Sequence, residues 1–220
     1  PSETTEIKPH PYGVELGVLI KMLHDTQART LQGFLHSDFS RVSMRVAKQI
    51  CQQAKVYERA RPTRIARQEA DNLFKAINQT KIMNPPTNCL SPIGEELILA
   101  GLKKQIEAEF YTAVTRPPSV YRGNPFQIEA GIAYGGSVSP DGLARVLRYA
   151  NRVPLLYQKS ACATTRSVLT TDWRKYGMQQ SAGALPSGPL VVLIHMASVW
   201  VPFTSESKEA IAHYPEIIKQ

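Results

Sequence analysis

Cysteine is scarce in this chain: Cys51, Cys89 and Cys162 stand singly, and no CxxC pair occurs. That spacing argues against a zinc site and leaves reduced, structural thiols, as expected of a cytosolic or nuclear protein. Long apolar runs are missing too. The longest, Leu190–Val201, falls short of the ~20 residues needed to cross a bilayer, and no signal peptide is legible, so no membrane partner is expected. There is no Walker-type run and no glycine-rich cradle for phosphates. His10, His24, His36, His195 and His213 show no ligand spacing, so no metal site is expected. Ser160 and Ser181 lack the setting of a nucleophile elbow. Negative charge is thin between residues 41 and 67, where Glu58 is the sole acidic residue.

What is present suits a folded protein with an anionic partner. The 220 residues allow one large domain or two small ones, since domains cluster near ~100–150 residues. An apolar content of 43% is enough to build a core, and a net charge of +8 favours a partner such as nucleic acid. The chain begins Pro-Ser-Glu without an initiator Met and is expected to be a piece of a longer polypeptide. Residues 1–9, polar and holding Pro1 and Pro9, read as a connector.

The chain is organised around Leu190–Val201, an apolar, β-branched run bounded by Gly188-Pro189 and Pro202. It predicts a strand buried on both faces. Thr204–Ser207 is a polar turn that can cap a helix beginning near Lys208. A buried strand ending in such a turn would hold one ammonium at a fixed point. Upstream, Phe126, Ile128, Ala130, Ile132 and Tyr134 alternate with Gln127, Glu129 and Gly131, predicting a second strand. Ala144–Tyr149 reads as its partner, Ala161–Leu169 as a helix, and Ser91-Pro92 as the start of a helix carrying Leu97, Ile98 and Leu102. Thr115-Arg-Pro-Pro118 is a stiff turn. These elements predict an α+β fold: a helical block, then a mixed sheet with helices packed on one side.

The helical block runs from a rigid turn at His10-Pro11 to Asn84-Pro-Pro86. Val14, Val18, Leu19, Met22 and Leu23 have helical spacing, and Gly33 reads as a breaker in the stretch Thr30–Phe39. Ser40 reads as the cap of a helix with Val42, Val46 and Ile50 in one stripe. Thr63 reads as the cap of another, with Ala66, Ala70, Leu73 and Ile77 inward. Arg41, Arg45, Lys48, Arg61, Arg64 and Arg67 lie in the basic window. They fit non-specific contacts to the phosphates of double-stranded DNA; the alternative is an ordinary solvated face. Trp173, Arg174, Lys175 and Tyr176 fit either a nucleic-acid backbone contact or two core anchors flanking exposed cations. Glu95-Glu96 complement a helix dipole. Arg152 reads as a structural ion-pair partner, and His195 as a satisfied core histidine.

Several long strings resemble the B-subunit family of DNA topoisomerase VI. They are Leu90-Ser-Pro-Ile-Gly-Glu-Glu-Leu97, Thr115-Arg-Pro-Pro-Ser-Val-Tyr-Arg-Gly-Asn-Pro-Phe126, Gly131-Ile-Ala-Tyr-Gly-Gly136, Tyr149-Ala-Asn-Arg-Val-Pro-Leu-Leu-Tyr157 and Trp200-Val-Pro-Phe-Thr-Ser-Glu-Ser-Lys-Glu-Ala-Ile-Ala212. The likeness runs from about Ile7 to the last residue. It implies a helix-two-turns-helix domain over residues 10–87, itself similar at fold level to modules of a ribosomal protein and some DNA-repair glycosylases. It also implies a transducer domain over 88–220 with a ribosomal-protein-like crossover. By the same resemblance Lys208 reaches a neighbouring ATPase domain and contacts the γ-phosphate of ATP.

The implied enzyme relaxes and decatenates DNA by passing one duplex through another. ATP and magnesium serve the intact enzyme, and neither is expected to be bound by this piece alone, because the family's Asn-containing helix and Asp-x-Gly-x-Gly motif are not present; Asp141-Gly142 lacks the rest of it. The implied partners are the A subunit, a second B subunit on ATP binding, and double-stranded DNA. Location would be cytoplasmic with the nucleoid, or nuclear in a eukaryote. Tyr121, Tyr149 and Tyr157 are not read as strand-cleaving nucleophiles, since the family places cleavage on its A subunit. Two alternatives stand beside this: a B-like structural, DNA-binding partner of a meiotic-type DNA-breaking subunit, without ATPase activity, and a free nucleic-acid-binding module. Lys208 with its Ser-Glu-Ser neighbours favours the ATP-coupled reading.

Overall fold

The computed structural model describes residues 7–220; most of the connector expected over 1–9 lies outside the described residues. The chain forms two compact units. One takes in the described residues up to Cys89 together with Arg122–Asn124, the other Leu90–Tyr121 and Pro125–Gln220.

The first unit holds α1 (Leu16–Asp25), α2 (Leu31–Asp38), α3 (Met44–Ala54) and α4 (Arg67–Gln79). Its core is apolar, centred on Leu31, Phe34, Leu35, Ile50, Leu73 and Ile77, each worth roughly 1.5–3 kcal/mol of burial. Local capping corrects three expectations. Gly33 does not break the chain but sits inside α2, where its N–H donates to Thr30 Oγ1 at 3.1 Å. A Cβ there would lie 2.9 Å from that oxygen, so glycine lets the cap close. Helix α3 starts from Ser43 rather than Ser40, because Arg41 holds a left-handed φ of 60° that no helix accommodates. Helix α4 starts after Ala66, whose N–H donates to Glu69 Oε2 at 2.8 Å, while Pro62–Arg64 forms a separate 3-10 turn. Ala66 is accordingly exposed, and Val18 on α1 is exposed as well. The turn at His10-Pro11 is present: His10 Nδ1 accepts from Tyr12 N–H, and its Nε2 donates to Met83 O.

In the second unit α5 (Glu95–Gln105) precedes β1 (Phe110–Thr115), β2 (Ser119–Tyr121), β3 (Asn124–Tyr134), β4 (Arg145–Ala150) and β5 (Val153–Pro154). Helix α6 (Ala163–Thr170), β6 (Leu190–Ser198) and α7 (Pro215–Lys219) follow. The strands form one mixed sheet in the order β1-β3-β6-β4-β5, with β2 also on β3. The α+β expectation holds. The predicted strand over Leu190–Val201 is β6, buried on both faces but ending at Ser198. Its continuous apolar run takes the middle of the sheet, antiparallel to β3 and parallel to β4. So the strand expected over Ala144–Tyr149 pairs with β6, not with β3.

Helices cover both sides of the sheet, not one. Ile98, Leu102 and Ile106 of α5 pack with Ala133 and Val191 on one face. Val168 of α6 and Ile217 of α7 pack with Phe126, Ile128, Val192 and Met196 on the other. The two parities of β3 and β6 are both apolar enough to recruit a helix. The α5 side is so close that a Cβ on Gly131 would meet Ile98 Cγ2 at 2.7 Å and Leu102 Cδ1 at 2.9 Å. Helix α5 is preceded by Gly94 at φ 91°, and Ser91 does not cap it. Ser91 Oγ instead accepts from Arg152 Nη2 at 3.1 Å.

Candidate functional site

Past Ser198 the chain does not run into a helix. Asn151 clamps the end of β6, its Oδ1 accepting from Ser198 N–H and its Nδ2 donating to Ser198 O, both at 2.9 Å. Val201 and Pro202 are buried. Phe203 then bridges Ile211, and Thr204 N–H donates to Ala210 O at 2.9 Å. Residues 203–211 are therefore a closed loop, and the helix expected at Lys208 is absent. The reason is local: Ala210 and Ile211 are fully buried and pull the chain straight back, which the left-handed φ of 55° at Lys208 allows. The nearest helix downstream is α7. Lys208 is exposed at the tip and forms no salt bridge among the described residues. Its loop carries Glu206 and Glu209, and Ser207 Oγ donates to Glu209 at 3.4 Å.

Behind this loop the sheet holds a polar network that periodicity did not reveal. Glu129 and His195 face each other across β3 and β6, both at 0% exposure. Glu129 Oε2 accepts from His195 Nδ1 and Ile93 N–H, and Oε1 from Gly94 N–H and Thr115 Oγ1, all at 2.7 Å. Arg152 N–H donates to His195 Nε2 at 3.0 Å. With Nε2 accepting, the imidazole is neutral and carries its proton on Nδ1, so the site holds one carboxylate and four donors. Burial raises the Glu129 pKa, but the hydrogen bonds from His195, Ile93, Thr115 and Gly94 outweigh it and hold the carboxyl at about 2. The satisfied core histidine expected at 195 is present. Among the described residues Arg152 pairs with no carboxylate; its guanidinium donates to Ser91 Oγ and Pro92 O. This network ties the segment entering α5, the end of β1 and the β4–β5 turn to the strand that leads to Lys208. An acidic residue in an alternating strand and a histidine in an apolar one were the available signals, but only the register joins them.

The basic residues of the first unit are all exposed but do not form one row. Gln32 gathers part of them: its N–H donates to Glu58 O and its side-chain amide to Met44 O, each at 3.0 Å. That brings Arg45 and Lys48 of α3 to the loop bearing Arg59 and Arg61, and Lys48 Nζ lies 3.9 Å from the Glu58 carboxylate. Arg64 and Arg67 stand instead beside α1, where Arg67 lines a hollow with Ile20, Leu23 and His24. Arg41 is near enough to His10 to add to the lowering of its pKa that burial dominates.

Trp173–Tyr176 forms a short 3-10 turn. Trp173 is buried, with Nε1 donating to Val168 O at 2.8 Å. Arg174 Nε donates to Asp172 at 2.9 Å, and that hydrogen bond, ahead of the nearby charges, lowers the Asp172 pKa. Tyr176 is exposed. The turn thus joins a core anchor to an outward-facing tyrosine and two cations. Among the described residues no three His, Cys, Asp or Glu side chains gather as a metal site, and no helix is long and apolar enough to cross a membrane.

The family described as topoisomerase VI B subunit, transducer, matches residues 85–220. The B subunit of type 2 DNA topoisomerase 6 from Methanococcoides burtonii is 49% identical over 217 residues, covering 99% of this chain and 35% of its own length. That from Archaeoglobus fulgidus is 47% identical over 220 residues, covering 100% of this chain and 36% of its own. That from Natronomonas pharaonis is 54% identical over 152 residues, 69% of this chain and 19% of its own. This chain therefore spans about a third of the length of the first two. A solved B subunit of DNA gyrase from Myxococcus xanthus covers 57% of this chain and 35% of its own at 13% identity and a TM-score of 0.36, too slight a likeness to argue from. The matched family covers more than half of the residues, and the chain belongs to the topoisomerase VI B-subunit family.

Proposed function

We propose that this chain is the part of a topoisomerase VI B subunit that couples the state of bound ATP to a DNA gate. The observation that carries this reading is the Lys208 loop: an exposed cation without a salt bridge among the described residues, on a base of fully buried residues, following the central strand of the sheet. A free lysine on a mobile tail would report nothing; one on a braced loop transmits force when its partner changes. An ammonium 4 Å from a phosphate charge is attracted by about 4 kcal/mol at an effective dielectric near 20. That attraction is present with the γ-phosphate and lost when phosphate leaves, so it can bias the position of the sheet between two states. It can also stabilise charge developing in phosphoryl transfer.

In this reading residues 10–87 are a helix-two-turns-helix domain that contacts double-stranded DNA through Arg41, Arg45, Lys48, Arg61, Arg64 and Arg67. Residues 88–220 are the transducer, with Arg174, Lys175 and Tyr176 as a second DNA contact braced by Trp173. ATP binding pairs two B subunits around one duplex. The A subunits, using a tyrosine and magnesium, break another, and the first is passed through. Magnesium and ATP belong to the intact assembly, and no step is assigned to a metal on this chain. The archaeal relatives favour a cytoplasmic, nucleoid-associated setting.

The test is ATP turnover by a complete B subunit with its A partner, wild type against Lys208→Ala, alongside nucleotide affinity. Turnover is expected to fall about 10²-fold with affinity largely retained. Equal turnover would remove Lys208 from the mechanism.

A further inference from the structure

The central strand has an end that must be held. β4 runs parallel to β6, with Ala150 beside Met196. At Asn151 and Arg152 the chain leaves that ladder, with φ of 45° and 68°, and turns back as β5. Left-handed backbone is strained for residues other than glycine and persists where contacts hold it. Both residues hold β6. Asn151 N–H donates to Met196 O at 2.8 Å, and Arg152 N–H to His195 Nε2 at 3.0 Å. The Asn151 side chain reaches further along the strand, to both backbone groups of Ser198, each at 2.9 Å.

A primary amide presents a C=O and an N–H side by side, as the edge of a strand does. With Oδ1 on Ser198 N–H and Nδ2 on Ser198 O, the Asn151 amide stands in for the neighbouring strand where β4 has departed. Ser198 Oγ donates to Pro125 O at 2.9 Å and accepts from Trp200 N–H at 3.2 Å. Beyond it Val201 and Pro202 are buried, and the stem of the Lys208 loop closes, Ala212 N–H donating to Pro202 O at 2.7 Å. We propose that Asn151 is a positioning residue for Lys208: its amide fixes the end of β6, and with it the point from which the loop departs.

The return limb of the loop has its own anchor, since Ala163 N–H at the start of α6 donates to Ile211 O at 2.8 Å. Asn151 is the anchor on the sheet. A misplacement of about 1 Å at a reacting group can cost up to ~10²-fold in rate, so a loop that shifts at its root loses much of what Lys208 supplies. Two substitutions separate the amide from the turn that carries it. Glycine accepts a φ of 45° without strain and has no amide. Aspartate keeps the shape and the acceptor for Ser198 N–H, but sets an oxygen against Ser198 O. The positioning role rests on the reading of Lys208 above; the clamp on Ser198 does not.

The experiment has two arms. In a complete B subunit with its A partner, Asn151→Gly should lower kcat for ATP about tenfold at unchanged nucleotide affinity. On a Lys208→Ala background it should lower kcat no further, because a clamp cannot place an absent ammonium. A wild-type kcat in Asn151→Gly, or a further loss on the Lys208→Ala background, overturns the positioning role. Asn151→Asp should match Asn151→Gly, and it carries the same test if glycine unfolds the sheet. In the second arm, amide exchange of this chain is followed at Thr204, whose N–H donates to Ala210 O at 2.9 Å in the loop stem. Both variants should speed it about tenfold; unchanged exchange overturns the brace. If exchange rises while Lys208→Ala itself turns over at the wild-type rate, the brace stands and the sensor reading falls.

Discussion

In the helical unit the large, fully buried side chains are apolar, among them Leu19, Leu31, Phe34, Leu35, Ile50, Leu73 and Ile77, and the described lysines and arginines all stand outside; in the sheet unit Glu129, His195 and Arg148 lie inside, at 0–2% exposure. The first arrangement tolerates change at its surface and depends on volume in its core. The second depends on direction, because each buried polar group demands a partner at a fixed place. Under the proposed function the difference is useful: contacts with a charged polymer call for a firm scaffold and movable charges, and relay of a small displacement gains from a core that fits together in one way.

The sharpest way to break this contrast is Glu129→Ala. It strips the acceptor from Ile93 N–H, Gly94 N–H, Thr115 Oγ1 and His195 Nδ1, and a loss of about 3–5 kcal/mol is expected in denaturant unfolding of the sheet unit. A loss under ~1 kcal/mol would mean the network is decoration. The same group sets an acid dependence. Its folded pKa of about 2 lies below the ordinary 4.5, so its contribution, about 3 kcal/mol, is complete above the unfolded value and fades as pH falls toward about 2. The stability gap between wild type and Glu129→Gln should therefore narrow steadily on acidification across that window.

Gly131→Ala probes the close approach of α5. The added methyl meets Ile98 and Leu102 inside 3 Å, and about 1–3 kcal/mol of destabilisation is expected from thermal unfolding. Trp173→Phe removes one buried hydrogen bond to Val168 and should cost about 1 kcal/mol, whereas Tyr176→Ala, at an exposed position, should stay within ~0.5 kcal/mol. Smallest in stability is the double change Arg45→Ala with Lys48→Ala, also expected within ~0.5 kcal/mol. Its effect belongs to DNA: the salt dependence of duplex binding should become shallower by about one per lost phosphate contact, without change in sequence preference. An unchanged slope would move the DNA contact elsewhere.

What could be read in advance follows the range of the forces involved. Helices α1, α3 and α4 announced themselves through spacing, and β3 and β6 through alternation and a continuous apolar run. Their starting points were less legible. Ser40, Thr63 and Ser91 have the right chemistry to cap a helix, yet Ser43, Ala66 and Gly94 occupy the positions, decided by φ at Arg41, by Glu69 reaching back, and by the pull of Glu129 on Ile93 and Gly94. The loop bearing Lys208 resembled a capped helix because Thr204–Ser207 is polar. Burial of Ala210 and Ile211 overrode that local preference.

The amino-acid sequence by itself determined the family and the α+β character, since both rest on strings and local periodicity. Only the tertiary structure decided that helices cover both faces of the sheet, that Glu129 meets His195, that Arg148 is buried, and that Lys208 rides a closed loop. The physical reason is distance along the chain. The buried Glu129 carboxylate is tolerable because its partners arrive from three separate segments, and register across the sheet, which no local pattern contains, is what delivers His195.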